Sequence, residues 1–137
     1  MQKPKRILLV DDQATFAKAI EIALADTGCE IQSVTDPELG LQKALSESWD
    51  LLLLDMHMPV MDGVEFLHHL REASCQIRTV VMTSDSSLTP IQDIVPYHIE
   101  AFVLKPIQLH DFSDLLEKLI GISLFPKSNE STANDSP

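Results

Sequence analysis

Short runs of apolar residues alternate along the chain with segments of helical periodicity. Five runs have the length and composition of strands that are buried on both faces; they are Ile7–Val10, Ile31–Val34, Leu51–Leu54, Ile77–Met82 and Ala101–Leu104. Because strands and helices alternate, the pattern predicts a parallel sheet with helices on both faces and right-handed crossovers. The expected fold class is therefore α/β, with a strand–helix unit repeated five times.

Apolar stripes and capping residues mark four of the helices. The markers are, in chain order, the stripe Phe16, Ile20, Ala23 and Leu24; the pair Asp36-Pro37 ahead of Leu41, Ala44 and Leu45; Asp62 or Gly63 ahead of Val64, Leu67 and Leu70; and the stripe Phe112, Leu115, Leu116, Leu119 and Ile120. The helix that opens at Asp62 or Gly63 is expected to run to about Ala73.

The fourth helix is the weakest of the five in the sequence. Thr89-Pro90-Ile91-Gln92 has the pattern of a capping box with proline at the first helical position. Pro96 then stops the helix, because proline disfavours helical backbone at the residue before it. We therefore predict a fourth helix that is short or irregular.

Composition limits the kinds of partner. The chain has 137 residues, which suits one domain, and its net charge of −11 argues against direct binding to nucleic acid or to an anionic membrane. Its first apolar stretch is too short for a signal peptide or a membrane span, and its two cysteines are typical of reduced thiols in the cytoplasm. We expect a domain over residues 1–121, followed at 122–137 by a disordered tail or the start of a linker.

Charged and hydroxyl side chains follow four of the predicted strands. In an open parallel sheet, ligands bind beyond the carboxyl ends of the strands. Those ends carry Asp11-Asp12, Asp55, Thr83-Ser84 and Lys105-Pro106. Taken singly, each residue has a structural explanation: Asp12 as a helix cap, Asp55 as a loop residue, Thr83 as a β-branched strand residue and Lys105 as a surface charge. Their joint position at one edge favours a functional site.

Three clustered carboxylates repel one another and raise one another's pKa unless a cation is present. The cation expected here is Mg²⁺ (or Mn²⁺), because hard divalent ions take carboxylate, carbonyl and water oxygens. Zinc is not expected, since no group of histidines or cysteines accompanies the acids.

Four stretches in the same order make a specific combination: "ILLVDDQ", "LLLLDMHMPVMDG", "VVMTSDS" and "AFVLKPI". With them, the chain resembles the receiver domain of two-component response regulators, in the CheY-like superfamily, from residue 5 to about 120. The resemblance implies a doubly wound, flavodoxin-like sheet of strand order 2-1-3-4-5.

The resemblance also implies a role for each site residue. Asp55 corresponds to the phosphoacceptor, which takes a phosphoryl group from the phosphohistidine of a sensor histidine kinase or phosphotransfer protein. Asp11, Asp12 and Asp55, with the backbone carbonyl of His57, would hold the metal ion. Lys105 would pair with Asp55 before transfer and with a phosphoryl oxygen afterwards, and a cis bond is expected between Lys105 and Pro106.

A switch is implied as well. Thr83 would donate its hydroxyl to a phosphoryl oxygen, and Phe102 corresponds to the aromatic residue that swings inward in response. Ser84 and Asp85 occupy positions that modulate the site. Asp85 and His57 flank the site at two positions that tune the rate of dephosphorylation. The fourth helix, fifth strand and fifth helix would form the signalling face for an unknown downstream effector or a homodimer.

Two other classes of function remain open. A phosphatase with an aspartate nucleophile is disfavoured, because such enzymes carry D-x-D after the first strand and a cap domain, whereas Asp11 and Asp12 are adjacent. A phosphorylation-independent adaptor on the same fold gains some support from the weak fourth helix. The favoured function is a phosphorylation switch that is not an enzyme and has only self-directed phosphotransfer and autodephosphorylation.

Overall fold

A computed structural model describes residues 3–84 and 89–125, without the side chains of residues 89–91. Strands and helices alternate throughout, as predicted. The ten elements are β1 (Arg6–Val10), α1 (Ala14–Leu24), β2 (Glu30–Val34), α2 (Pro37–Ser46), β3 (Leu51–Asp55), α3 (Gly63–Glu72), β4 (Thr79–Thr83), α4 (Thr89–Ile94), β5 (Ala101–Leu104) and α5 (Leu109–Ile120).

The five strands form one parallel sheet of order β2-β1-β3-β4-β5, which confirms the predicted topology. β3 lies at its centre, between β1 and β4. All four of its leucines are fully buried, because successive side chains point to opposite faces and helices cover both. The central strand thus carries Asp55 as its last residue.

Two apolar clusters form the core, one on each face of the sheet. Helices α2, α3 and α4 cover the first cluster, where Phe66 is fully buried, and Phe102 packs against its edge. Helices α1 and α5 cover the second, where Leu116 is fully buried. This arrangement places the helices on both sides of the sheet and leaves the ends of the strands accessible.

β4 begins and ends later than the apolar run predicts. The pattern favoured Ile77–Met82, whereas the strand spans Thr79–Thr83. Ile77 packs against the first core cluster from the preceding connection, but the strand register begins only with Thr79 opposite Leu52. Thr83 is therefore the last residue of β4, just as Asp55 is the last residue of β3.

The helix boundaries follow the capping residues closely. Asp36 caps α2 by accepting a hydrogen bond from the backbone N–H of Glu38, and Asp62 forms a capping box with Glu65 at the start of α3. α4 has six residues and ends two residues before Pro96, so it is short, as predicted.

The connection from β3 to α3 is closely packed around Gly63. The backbone N–H of Gly63 donates to the carbonyl of Met56 at 2.9 Å, and a Cβ atom at position 63 would lie 2.9 Å from the Met56 Cα atom. Val60, at the outer turn of this loop, is 82% exposed and has a φ of 75°, a left-handed conformation that is unfavourable for a β-branched residue.

The packed chain continues beyond the boundary expected at residue 121. Ile122 and Leu124 pack against the second core cluster, and the backbone N–H of Leu124 donates to the Ser113 hydroxyl at 2.9 Å. Phe125 stacks on His110, with ring centroids 4.3 Å apart. Residues 126–137 lie outside the described residues, so the expected tail stays a prediction.

None of the helices within residues 3–84 and 89–125 combines the length and the apolar character that crossing a membrane requires.

Val60→Gly is expected to stabilise the fold by about 0.5–1 kcal/mol. Left-handed backbone costs an L-residue about 1–2 kcal/mol, and the added flexibility of glycine in the unfolded chain offsets part of that gain. Chemical denaturation measures the difference. Val95→Gly is the matched control, since Val95 is also exposed but has no positive φ, and it should lose about 0.4–1 kcal/mol. Equal losses in both variants would contradict the strain at Val60.

Candidate acidic site at the carboxyl edge of the sheet

Three carboxylates meet where β1 and β3 end. Asp11 follows β1 and is fully buried, Asp55 ends β3 and is 4% exposed, and Asp12 is exposed. One oxygen from each lies within 4.8 Å of the others. Asp12 does not cap α1, because the N-cap residue is Gln13. The structure thus brings together the three acids that the strand pattern placed at one edge.

Lys105 brings a positive charge to this cluster from the end of β5. Its side chain is 8% exposed, and its Nζ atom lies 2.6 Å from Asp11 Oδ2 and 3.6 Å from Asp55 Oδ1. The lysine was expected to pair with Asp55; that ion pair is present, but the shorter contact is with Asp11. The Lys105–Pro106 peptide bond is cis, as predicted.

Two neighbours of Lys105 were missed in the sequence. Gln13 Oε1 accepts a hydrogen bond from Lys105 Nζ at 3.0 Å, and the Gln13 backbone N–H donates to Asp11 Oδ1 at 2.8 Å. The Phe16 ring lies beneath the ammonium, with its centroid 4.2 Å from Nζ. The signal for Gln13 was its position directly after the acid pair, whereas Phe16 was assigned only to the stripe of α1.

Burial and neighbouring negative charge perturb the central carboxylate. Loss of solvation and the charge of Asp11 raise the pKa of Asp55 to about 6, while Lys105 and the His57 backbone N–H act in the opposite direction. That N–H donates to Asp55 Oδ1 at 3.4 Å. The site therefore carries more negative charge than Lys105 alone offsets, which is the condition under which a cation binds.

Thr83 lies at the end of the strand beside β3. It is fully buried, and its backbone carbonyl accepts a hydrogen bond from the backbone N–H of Lys105 at 2.7 Å. Ser84, the next residue, is exposed. Phe102 is half-buried on β5, opposite Val81. Asp85 lies outside the described residues.

The donor set suits a hard divalent ion. Asp11, Asp12 and Asp55 supply oxygen atoms only, and one of the three is exposed, which leaves room for water among the ligands. His57 is exposed on the loop beyond Asp55, and the use of its carbonyl as a ligand stays a prediction. These residues fit Mg²⁺ or Mn²⁺ better than zinc, which prefers nitrogen and sulfur ligands.

Fold and site together define a class: a doubly wound parallel α/β domain with an acidic, lysine-bearing site at the carboxyl ends of its strands. The response regulator receiver domain family matches residues 7–117. The chain belongs to this family, the receiver domains of two-component systems.

Curated relatives carry the same domain within longer proteins. The transcriptional regulatory protein DltR of Streptococcus agalactiae serotype III is 29% identical over 103 residues, which cover 75% of this chain and 46% of DltR. The response regulator ArlR of Staphylococcus saprophyticus is 26% identical over 114 residues, covering 83% of this chain and 50% of ArlR. The chain spans about half the length of these relatives.

Solved structures share the architecture. A CheY-like response regulator receiver domain protein from Methanospirillum hungatei has a TM-score of 0.79 at 25% identity, covering 85% of this chain and 93% of that chain. The response regulator TrrA of Thermotoga maritima, in complex with Mg(2+)-BeF, has a TM-score of 0.75 at 26% identity, covering 85% of this chain and 99% of that chain.

Asp55→Asn is expected to stabilise the metal-free protein above about pH 6. Folding raises the pKa of Asp55 from 3.8 to about 6, so the folded state binds its proton more tightly and loses stability as pH rises between those values. The variant, which cannot ionise there, should gain on the order of 2 kcal/mol at neutral pH and nothing below about pH 4.

Denaturant unfolding across this pH range, with a chelator present, measures the difference. Asp26→Asn, at an exposed position beyond the far end of α1, controls for the general loss of one negative charge. An Asp55→Asn difference that stays constant from acidic to neutral pH would contradict the perturbed carboxylate.

Proposed function

We propose that this receiver domain is a phosphorylation switch in which Asp55 accepts a phosphoryl group from the phosphohistidine of a sensor histidine kinase or phosphotransfer protein. The observation that supports this is the position of Asp55: a buried carboxylate at the end of the central strand, 3.6 Å from a lysine ammonium and grouped with Asp11 and Asp12. The same set of residue types is what phosphoryl transfer requires for positioning and charge stabilisation.

In the transfer step, an Asp55 oxygen forms the new bond to phosphorus while the bond from phosphorus to the donor imidazole nitrogen breaks. The electron pair of that bond stays on the imidazole. Asp55 reacts as a carboxylate, and its rigid strand keeps it aimed beyond the sheet edge. The Lys105 ammonium, already within reach of Asp55, moves to a phosphoryl oxygen as negative charge spreads over the transferred group.

Asp11, Asp12 and Asp55, with the His57 carbonyl, are the proposed ligands of Mg²⁺ or Mn²⁺. When bound, the ion offsets the negative charge of the carboxylates and of the phosphoryl group. Lys105 would share the neutralisation of the site with the ion, and before transfer Gln13 Oε1 accepts a hydrogen bond from the lysine at 3.0 Å.

The proposed switch links Thr83 to Phe102. Thr83 is buried beside the acceptor strand, and its hydroxyl would donate to a phosphoryl oxygen. Phe102 is half-buried on the edge strand and would then move inward, which changes the face formed by α4, β5 and α5. Because Phe102 has no hydroxyl, its outward state cannot offer a partner a phenolic hydrogen bond.

The output of the switch involves partners outside the domain. We propose a downstream effector, or a second copy of the domain, bound through the face of α4, β5 and α5. Dephosphorylation would be self-directed, with His57, Ser84 and Asp85 as the modulating positions. Because the matched region covers only 46% of DltR and 50% of ArlR, activities of their remaining segments are not assigned to this chain.

A phosphorylation-independent adaptor is the second candidate, and the observation in its favour is the short α4 of six residues. A reduced α4 alters the face through which the switch would act and leaves the rest of the fold available for docking. Equal binding of an effector to wild type and to Asp55→Asn would support the adaptor over the switch.

Mg²⁺ is expected to stabilise the wild-type protein at neutral pH by about 1.4 kcal/mol at a concentration ten times its dissociation constant. Asp12→Asn should remove most of this gain, because Asp12 is an exposed member of the carboxylate group and its substitution leaves the core intact. Unfolding curves with and without the ion measure the effect. Asp26→Asn should respond to Mg²⁺ like wild type; a matching loss there would indicate non-specific binding.

Incubation with Mg²⁺ and acetyl phosphate is expected to add one phosphoryl group to the wild-type protein, detected as an increase in intact mass. Asp55→Asn should abolish the addition, because the amide is not a nucleophile. Lys105→Met should slow it, since the only nearby ammonium in the described site is lost. Failure of the wild type to label with acetyl phosphate, phosphoramidate or a phosphorylated kinase would rule out Asp55 as acceptor.

A further inference from the structure

A cavity of about 510 Å³ opens at the end of the sheet opposite the acidic site. Its walls come from the last turns of α3, the connection that leads into β4, and the connection from α4 to β5. Cavities of roughly 300–1,000 Å³ with mainly apolar walls and a few polar groups are typical of small-molecule sites. The switch proposed above does not use this cavity.

The residues that line the cavity carry a net positive charge, opposite in sign to the net charge of the chain. Two of the three arginines in the chain, Arg71 and Arg78, line it, although the chain as a whole has a net charge of −11. Glu100 is the one carboxylate among the lining residues within the described chain, and it forms no ion pair with either arginine.

Each of the two guanidinium groups donates one hydrogen bond to a backbone carbonyl, and its other N–H groups can bind a ligand. Arg71 Nη1 donates to the Pro96 carbonyl at 3.4 Å, and Arg78 Nη1 donates to the Leu119 carbonyl. By contrast, Arg6 contacts two glutamates at 2.8 Å and 3.3 Å. Because each guanidinium has five N–H donors, Arg71 and Arg78 can still bind the oxygens of an anion.

The remaining walls suit a flat apolar body. Leu67 and Leu70 form a buried apolar floor, and the Tyr97 ring lies in the wall beside Arg71, whose guanidinium carbon is 5.7 Å from the ring centroid. Aromatic and guanidinium planes both stack on flat groups. An anion with no apolar part would leave this floor and ring unused.

We infer that this cavity is a second ligand site, which binds a small organic anion: a carboxylate or phosphate group held by Arg71 and Arg78, with a flat apolar body over Leu67, Leu70 and Tyr97. A ligand there bridges α3 to the connection between α4 and β5. The site does not include Asp55, so a test of this inference does not depend on whether the phosphorylation switch is correct.

The test is a titration of the ¹⁵N-labelled protein, followed by amide chemical shifts in buffer with a chelator. The probes are benzoate, phenyl phosphate, neutral benzamide and inorganic phosphate. Benzoate or phenyl phosphate should shift the amides of residues 71–78 and 97–100 saturably, and benzamide and inorganic phosphate should bind at least about ten-fold more weakly. Tighter binding of benzoate would identify a carboxylate ligand, and tighter binding of phenyl phosphate would identify a phosphate ligand.

Substitutions separate the site from general charge effects. Arg71→Gln and Arg78→Gln, both at exposed positions, should each weaken binding of the anionic probes by about ten-fold, and Arg71→Lys should restore part of the affinity. Lys18→Gln removes a positive charge from an exposed position on α1 and should leave the affinity unchanged. The Asp55→Asn protein should bind the probes like wild type.

Several results would overturn the inference. They are shifts that do not saturate, equal binding of benzoate and benzamide, equal binding of phenyl phosphate and inorganic phosphate, or a loss in Lys18→Gln as large as in Arg71→Gln. Loss of probe binding in Asp55→Asn would also overturn it, because the anion would then belong to the acidic site.

Discussion

The contact between the Lys105 ammonium and the Asp11 carboxylate, at 2.6 Å, is the interaction on which the site depends. These residues are 94 positions apart and follow strands that are not neighbours, since β3 and β4 lie between β1 and β5. Their side chains meet only if every strand ends at the same edge of the sheet. A buried carboxylate without a partner costs several kcal/mol, so loss of the lysine would leave Asp11 with an uncompensated buried charge.

Burial has two opposite effects on the Asp55 carboxylate. Its strand is buried on both faces, which fixes the direction of the carboxylate but also removes water that would stabilise its charge. Lys105 supplies only part of the compensation, because its closer partner is Asp11. A site with surplus negative charge is suited to a cation, because the cation supplies the charge compensation that water and Lys105 do not.

The sequence allowed the fold to be predicted almost completely, because apolar strands that are buried on both faces differ clearly from amphipathic helices. The capping residues Asp36 and Asp62 located helix starts for the same local reason. The local sequence pattern could not determine the exact start of β4. Ile77 packs against the core and so looks like part of the strand, but it lies outside the paired residues, which begin with Thr79. It also could not show that residues 122–125 pack against α5, because four residues are too few to form a periodic pattern.

The residues of the candidate site could be predicted from the sequence, but which of them form the shortest ion pair could not. Strand order brings Asp11, Asp55 and Lys105 to one edge, yet the preference of the lysine for Asp11 depends on side-chain positions a few ångströms apart. Gln13 and Phe16 were missed because an amide and an aromatic residue in a helix have ordinary structural explanations. Such residues become part of a site only through their distances to a charged group.

The central position of β3 has a consequence for the dynamics of the molecule. The strand is paired on both sides and buried on both faces, so its amide protons should exchange with solvent only when the whole domain unfolds. α4 is a six-residue helix with little to hold it in isolation, and its amides should exchange through local opening. The Asp55 carboxylate, the proposed acceptor, therefore belongs to the most persistent part of the described chain, while the proposed output face includes one of the least persistent.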